Sequence, residues 1–201
     1  MEFPQAHSQE PMMAKDQRSS PAHNVNVAPP PIPSSGYRIP LAENSAFPID
    51  LRPLFFDADG VSPVFMGSAI FPDSVHPCKI VPALDPKCMV PYGGREHHHH
   101  GRYDLLPLDS NTMEFVRTSH GQIPHGRRPV EGGYEENGWY AMLTKPAKPN
   151  SSKYFAGSKL YHGIATVNGV QVPGKTGLHL GGCNVSFAGG EHVIHENYDI
   201  L

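Results

Sequence analysis

The stretch Cys88-Met-Val-Pro-Tyr-Gly-Gly-Arg-Glu-His97 occurs a second time near the end of the chain, as Cys183-Asn-Val-Ser-Phe-Ala-Gly-Gly-Glu-His192. A short tyrosine block follows each copy, Tyr103-Asp-Leu-Leu106 in the first and Tyr198-Asp-Ile-Leu201 in the second. The copies lie 95 residues apart and align without a gap. A repeat of this length predicts two copies of one structural unit. Cys88 and Cys183 open a predicted strand in each copy and are interpreted as small core residues.

The repeat extends upstream of these blocks with smaller offsets. Residues 39–48 align with 115–124 at an offset of 76, residues 56–60 with 134–138 at 78, and residues 77–79 with 173–175 at 96. The jump from 78 to 96 indicates an insertion of 18 residues in the second copy, predicted to be a protruding loop near residues 143–158. Residues 64–67 have two candidate counterparts, residues 139–142 and 160–163, and the sequence does not decide between them.

The pattern of apolar residues favours short strands over helices. Each unit contains short runs rich in Val, Ile, Phe and Tyr that are broken by Gly or Pro, and no segment keeps an apolar period of 3.6 for three turns. The chain has 20 glycines and 22 prolines among its 201 residues, which suits many turns. An all-β fold of small antiparallel strands is therefore predicted.

The predicted organisation is a leader at residues 1–35, a first repeat at 36–106 and a second repeat at 113–201. The leader contains seven prolines among polar residues, so it is predicted to be disordered, because it has too little apolar surface to offset the entropy of ordering. Its Pro-rich end could instead dock on an aromatic groove as a polyproline helix.

Composition excludes several classes of protein. The formal net charge of -3 gives no electrostatic reason to expect a nucleic-acid partner, and no run of 18 apolar residues predicts a membrane span. The first ten residues lack the basic and apolar regions of a signal peptide. Three cysteines do not form a disulfide framework. The expected location is the cytoplasm with reduced thiols, and release by a leaderless route stays open.

The doubled block, with its Val-Pro-Tyr-Gly-Gly-x-Glu-His and Tyr-Asp-aliphatic-Leu segments, resembles the DM9 repeat family over residues 37–201. The resemblance implies a single all-β unit in which two intertwined repeats are related by a pseudo-twofold axis. Characterised members include mannose-binding lectins of innate recognition. In those proteins an acidic turn residue and the lysine of Pro-Gly-Lys hold the sugar. On this chain the corresponding ligand-binding candidates are Asp57 with Lys79 and Glu135 with Lys175.

The residue types suit sugar binding. A carboxylate accepts hydrogen bonds from neighbouring hydroxyls, and an ammonium donates to sugar oxygens. The aromatic Tyr92 and Phe187 are expected near the loops. Two departures distinguish the sites, because Cys78 replaces the glycine before Lys79 and Glu135 replaces an aspartate. The second site keeps Pro-Gly-Lys and ranks above the first. The alternative interpretation makes these acids ordinary turn residues and the lysines solvated.

The run of histidines at residues 97–100 raises a metal as an alternative. Only His97 and His100 recur, as His192 and His195, and side chains on a strand alternate faces. The recurring Glu-His pair is interpreted as fixing the loop through hydrogen bonds, so no metal and no cofactor is predicted.

Two functions follow from these observations. The first is a non-catalytic lectin for mannose-type glycans, in which two sites, or a homodimer, supply avidity. The second is an intracellular scaffold or stress-response protein whose sugar sites have decayed, which the Pro-rich leader favours. No Ser-His-Asp order and no phosphate loop supports an enzyme.

Overall fold

The computed structural model describes residues 33–135 and 157–201, and these contain fourteen strands and one short helix. The first-copy strands are β1 (Ile39–Leu41), β2 (Phe55–Phe56), β3 (Pro63–Ile70), β4 (Val75–Ile80), β5 (Cys88–Tyr92), β6 (Arg95–His99) and β7 (Tyr103–Leu105). The second-copy elements are β8 (Val116–Thr118), β9 (Glu131–Glu135), β10 (Ser158–Val167), β11 (Val170–Gly177), the 3₁₀ helix Leu178–Leu180, β12 (Gly182–Phe187), β13 (Gly190–Ile194) and β14 (Tyr198–Ile200).

The order of the strands in the sheet is symmetric, because corresponding strands of the two copies lie at equal distances from its two ends. It runs β1-β7-β3-β4-β5-β6 in the first copy and then β13-β12-β11-β10-β14-β8 in the second. Strands at matching places come from matching parts of the two copies, and β2 pairs with β3 as β9 pairs with β10. The predicted all-β fold of two repeats related by a pseudo-twofold axis is confirmed.

Strand β9 makes the two copies interlock. It pairs with β10 of its own copy and, through Val75 and Tyr134, with β4 of the other. Eight strands therefore close on themselves in the order β4-β5-β6-β13-β12-β11-β10-β9. Closure removes the exposed edges that short antiparallel strands would otherwise present.

The strand registers settle one open alternative and correct one alignment. Gly67 lies opposite Cys78, and Gly163 lies opposite Gly174, so residues 160–163 are the counterpart of residues 64–67. Ile39 pairs with Leu105 and Val116 with Ile200, which makes the offset between β1 and β8 77 residues. The predicted offset of 76 is wrong by one position. A slip of one residue exchanges the two faces of a strand. Only the pairing of β1 with β7 and of β8 with β14 determines the correct register.

Each copy contributes its own core, and a third cluster joins them. The first includes Phe65, Cys78 and Tyr103, and the second includes Val172, Cys183 and Tyr198. Met66, Leu106, Ile164 and Leu201 form the shared cluster. Cys78, Cys88 and Cys183 are buried free thiols, and the interpretation of Cys88 and Cys183 as core residues is confirmed.

Arg38 fastens the start of the first copy to the second. Its guanidinium donates to Asp104 Oδ1 at 3.1 Å and to the Glu131 carbonyl at 2.7 Å, and it lies 2.9 Å from the buried His162 Nε2. Of the predicted leader, residues 33–35 are described, and the Ser34 carbonyl accepts a hydrogen bond from the Glu131 amide at 2.9 Å. Residues 1–32 lie outside the described part, as does all of the predicted loop at 143–158 except its last two residues. Among the described residues there is no helix with the length and apolar character of a membrane span.

Candidate functional site

Lys175 lies in β11 at the centre of a polar cluster contributed by both copies. The residue is only 2% exposed, and its Nζ is 3.2 Å from Glu135 Oε2. The same ammonium is 3.3 Å from His76 Nδ1 and lies over the Tyr92 ring, 5.2 Å from the centroid. A carboxylate, an imidazole and an aromatic face therefore compensate the buried charge.

The contacts assign the protonation state of His76. Because an ammonium can only donate, Nδ1 accepts from Lys175, and Nε2 carries the proton and donates to Ser74 Oγ at 3.0 Å. Burial first, and then the Lys175 charge, lower the pKa of His76 to about 4. The ring is therefore neutral near pH 7, and its 3.7 Å approach to Glu135 is not an ion pair at that pH.

Glu135 is held as a carboxylate. Burial acts to raise its pKa, but the Lys175 ammonium and hydrogen bonds from His179 and Lys175 outweigh burial and lower the pKa. His179 Nε2 donates to Glu135 Oε1 at 2.7 Å from the 3₁₀ helix. Both carboxylate oxygens thus have partners, and a ligand would share them.

Lys79 occupies the equivalent position in the first copy, on β4. It is 5% exposed, and its Nζ is 3.6 Å from Asp57 Oδ2 and 3.3 Å from Glu96 Oε1. These groups line a cavity of about 420 Å³ that Met89 and Phe187 also line. A space of this size lies within the range of small-ligand sites.

Each site receives an aromatic side chain from the other copy. Tyr92 of the first copy stands over Lys175, and Phe187 of the second lines the cavity of Lys79. Tyr92 is 56% exposed, so part of its surface is free to meet a ligand. The two aromatics are counterparts in the doubled block. The sequence predicts them near the loops, but it does not show this exchange between copies, which depends on β6 meeting β13.

The structure brings together both predicted pairs, Asp57 with Lys79 and Glu135 with Lys175. The alternative interpretation of Lys79 and Lys175 as solvated is wrong, because both ammonium groups are buried and paired. The reason is the sheet register, since each lysine projects from a central strand toward a carboxylate and not into solvent.

Glu96 and Glu191 of the doubled block are predicted from the sequence only as members of loop-fixing Glu-His pairs, and not as residues at the sites. Glu96 accepts a hydrogen bond from the Gly189 amide at 2.8 Å, and Glu191 accepts one from the Gly94 amide at 2.7 Å. Each carboxylate therefore holds the turn of the other copy. His192 Nε2 donates to the Phe187 carbonyl at 3.0 Å, so the interpretation of the second Glu-His pair as a loop-fixing element is confirmed. The sequence signal for these two residues is that a glutamate recurs at the same place of the doubled block, beside the glycine turn of each copy.

The histidines at residues 97–100 are divided among different neighbours. His99 is buried and donates to the Arg102 carbonyl at 2.9 Å, while His100 Nδ1 lies 2.6 Å from Glu43 Oε1. Within residues 33–135 and 157–201, no three His, Cys, Asp or Glu side chains are grouped to hold a metal ion.

The family model of the DM9 repeat matches residues 57–141. The chain contains a DM9 repeat. The matched stretch of the DM9 repeat begins at Asp57 and runs through Lys79, Tyr92 and Glu96 to Glu135, so it covers residues of both sites. A search of curated proteins found no match.

Proposed function

We propose that the protein is a non-catalytic, lectin-like protein that binds mannose-type glycans at two related sites and acts in innate recognition. The observation that supports this proposal is the pairing of a lysine and a carboxylate at equivalent positions of both copies, each beside an aromatic from the other copy. The DM9 match is consistent with a family that binds carbohydrate.

The groups of each site suit a saccharide. The carboxylates accept from neighbouring hydroxyls, the lysine ammonium donates to a ring or hydroxyl oxygen, and the aromatic face covers an apolar patch of C–H bonds. A single monosaccharide would bind with a Kd on the order of 1 mM, or about 4 kcal/mol. Two sites on one chain, or a homodimer, would then supply avidity toward a branched glycan.

A non-binding scaffold is the second candidate, and one observation favours it. The Lys175 ammonium already has Glu135, His76 and Tyr92 as neighbours, so these residues could serve as a buried ion-pair cluster that only stabilises the fold. Under this alternative the sugar sites have decayed and no saccharide competes for the lysine.

Calorimetric titration with mannose and mannan distinguishes the two candidates. We expect saturable binding by the wild-type chain and at least tenfold weaker binding by Lys175→Met, which keeps the aliphatic stem but removes the ammonium. Because Lys175 is buried, this variant should also be destabilised by about 1–3 kcal/mol, since Glu135 loses its charged partner. Circular dichroism at a temperature below the lowered Tm keeps the comparison within the folded state.

Lys159→Met is the matched control for that experiment. Lys159 also pairs with a glutamate, Glu131, at 2.6 Å, but its side chain is 59% exposed. We expect neither sugar binding nor the Tm to change in this variant. If the wild-type protein gives neither a heat of binding nor a glycan-array signal above background, the scaffold alternative is established instead.

A further inference from the structure

The cavity of the first site carries more negative than positive charge. Among the described residues, its lining includes four carboxylates and one ammonium, those of Asp57, Asp59, Asp85, Glu96 and Lys79. The imidazole of His98 also lines the cavity and adds at most one positive charge. The lining is therefore negative in either protonation state of that ring. A concave space with an excess of one sign attracts ligands of the opposite sign.

Three of these carboxylates have partners within the protein on both oxygens. Asp59 accepts hydrogen bonds from its own turn at Oδ1 and Oδ2. Asp57 accepts from the next amide at Oδ1 and faces the Lys79 ammonium with Oδ2, at 3.6 Å. Glu96 faces the same ammonium with Oε1, at 3.3 Å, and accepts from the Gly189 amide with Oε2. These contacts hold the three groups in place around a single cation.

Asp85 differs from these three carboxylates. It is exposed, lies in the connection between β4 and β5, and makes no hydrogen bond or ion pair with any described group. It nevertheless lines the same cavity of about 420 Å³. Both of its oxygens are therefore accessible and available to a ligand that enters the cavity.

The second copy supplies a different group from the equivalent connection. Between β11 and β12 lies the 3₁₀ helix, and its His179 donates to Glu135 at 2.7 Å. An imidazole that already has a carboxylate partner thus takes the place of a carboxylate without one. The negative charge of Glu135 is also compensated by Lys175.

The residue opposite the site lysine adds to the difference between the copies. It is Met89 on β5 in the first copy and Asn184 on β12 in the second. Asn184 Nδ2 donates to Glu191 Oε1 at 2.8 Å, whereas the Met89 thioether has no donor for Glu96. Glu96 instead directs its charge at Lys79. The excess of negative charge is therefore specific to the first site.

We propose that the first site binds amino sugars with a free, protonated amine, and that the Asp85 carboxylate pairs with this ammonium. The inference rests on the proposed sugar-binding function and names the ligand class of one of its sites. The Phe187 ring in the same cavity provides an aromatic face for the sugar. A neutral hexose leaves the excess charge uncompensated, and an acidic sugar is repelled.

Three sugars that share one ring test the preference for charge. D-Mannosamine, N-acetyl-D-mannosamine and D-mannose differ only at C2, and only the first carries a cation at a pH below the pKa of its amine. The ¹H–¹⁵N resonance of Gly189, whose amide is bonded to Glu96 beside the cavity, follows binding in the full chain. We expect a Kd about tenfold lower for mannosamine than for the two neutral sugars. This preference should decrease as salt is added.

A charge-matched pair of variants tests the role of Asp85. Asp85→Asn keeps the shape of the side chain, and we expect it to reduce the preference for mannosamine over mannose about threefold, since the pair is exposed to solvent. Asp73→Asn is the control, because Asp73 is an exposed carboxylate between β3 and β4 that does not line the cavity. It removes the same charge and should leave the preference unchanged.

The outcomes separate this inference from the function on which it rests. An equal Kd for mannosamine and mannose, or a preference that persists fully in Asp85→Asn, would overturn the role of Asp85 and leave the lectin proposal standing. An equal loss in Asp73→Asn would attribute the preference to net charge and overturn the role of Asp85 as well. No saturable shift with any of the three sugars would overturn both proposals.

Discussion

Ala188 has a strained backbone conformation, because it replaces a glycine of the first copy. It lies at φ 51 in the turn between β12 and β13, where the first copy has Gly93 at φ 61. Residues with a Cβ adopt this left-handed conformation at a cost, whereas glycine does not. The second copy therefore keeps the turn despite an unfavourable residue.

Relief of that strain is measurable. Ala188→Gly should raise the free energy of unfolding by about 0.5–1 kcal/mol, because the gain in the turn exceeds the entropy that glycine adds to the unfolded chain. Ala165→Gly, in the buried part of β10, is the matched control and should lower it by about 1 kcal/mol. Urea denaturation of both variants measures the difference. A loss of stability in Ala188→Gly equal to that of the control would show that the turn is not strained.

At the scale of elements, the junction of β6 with β13 is one of the two shortest links in the closed sheet, since the link of β4 with β9 also has a single residue pair. Its ladder contains one residue pair, Arg95 with Gly190, and the Glu96 amide donates to the Gly189 carbonyl at 3.1 Å. So short a ladder contributes little alone. Glu96 and Glu191 each accept a hydrogen bond from the glycine turn of the other copy, and these two bonds stabilise the junction from both sides.

Removal of one carboxylate should therefore loosen the junction. Glu191→Ala deprives both the Gly94 amide and Asn184 of their acceptor, and we expect a loss of about 1–3 kcal/mol in the free energy of unfolding. Amide exchange at Gly94 should accelerate more than exchange in the ladder between β10 and β11. Glu114→Ala breaks an exposed pair with Arg127 and serves as control. Uniform acceleration across all strands would indicate global destabilisation and contradict a local role.

The elements also show how far sequence could lead. The doubled block and the Gly- and Pro-broken apolar runs predict strands and two copies, because these depend on local pattern and spacing, whereas both pairs of site residues follow only from the resemblance to the DM9 repeat family. The burial of Lys175 and the exchange of Tyr92 and Phe187 were not predictable in this way. They depend on which strands meet when the sheet closes, and pairing across 95 residues leaves no periodic signal in either copy.

For the whole molecule, buried neutral histidines determine how stability responds to acid. Burial followed by the neighbouring Lys175 charge lowers the pKa of His76 to about 4, and burial followed by Arg38 lowers the pKa of His162 well below its ordinary value. A histidine whose pKa is lower in the folded state takes up its proton more readily when unfolded. Its contribution is present above about pH 6.5 and is lost as the pH falls toward the folded pKa.

The free energy of unfolding should therefore decrease between about pH 6.5 and pH 4, with His76 alone accounting for about 2–3 kcal/mol. Below that window the depressed pKa of Glu135 extends the loss, since protonation removes its pairing with Lys175. In His76→Gln the slope between pH 6.5 and 4 should be reduced but not abolished, because His162 remains. Urea titrations at half-unit pH steps test this. An unchanged slope in the variant would show that His76 does not cause the loss of stability in this pH range.

The reciprocal supply of Tyr92 and Phe187 bears on the ancestry of the chain. A polypeptide with one copy of the unit would hold a lysine and its acid but lack the ring that completes the pocket. It could complete a pocket only by associating with a second molecule of itself, and the symmetric strand order is the order that such a pair would have. Duplication and fusion would preserve that geometry while releasing the two halves to diverge independently, as the difference between Met89 and Asn184 illustrates.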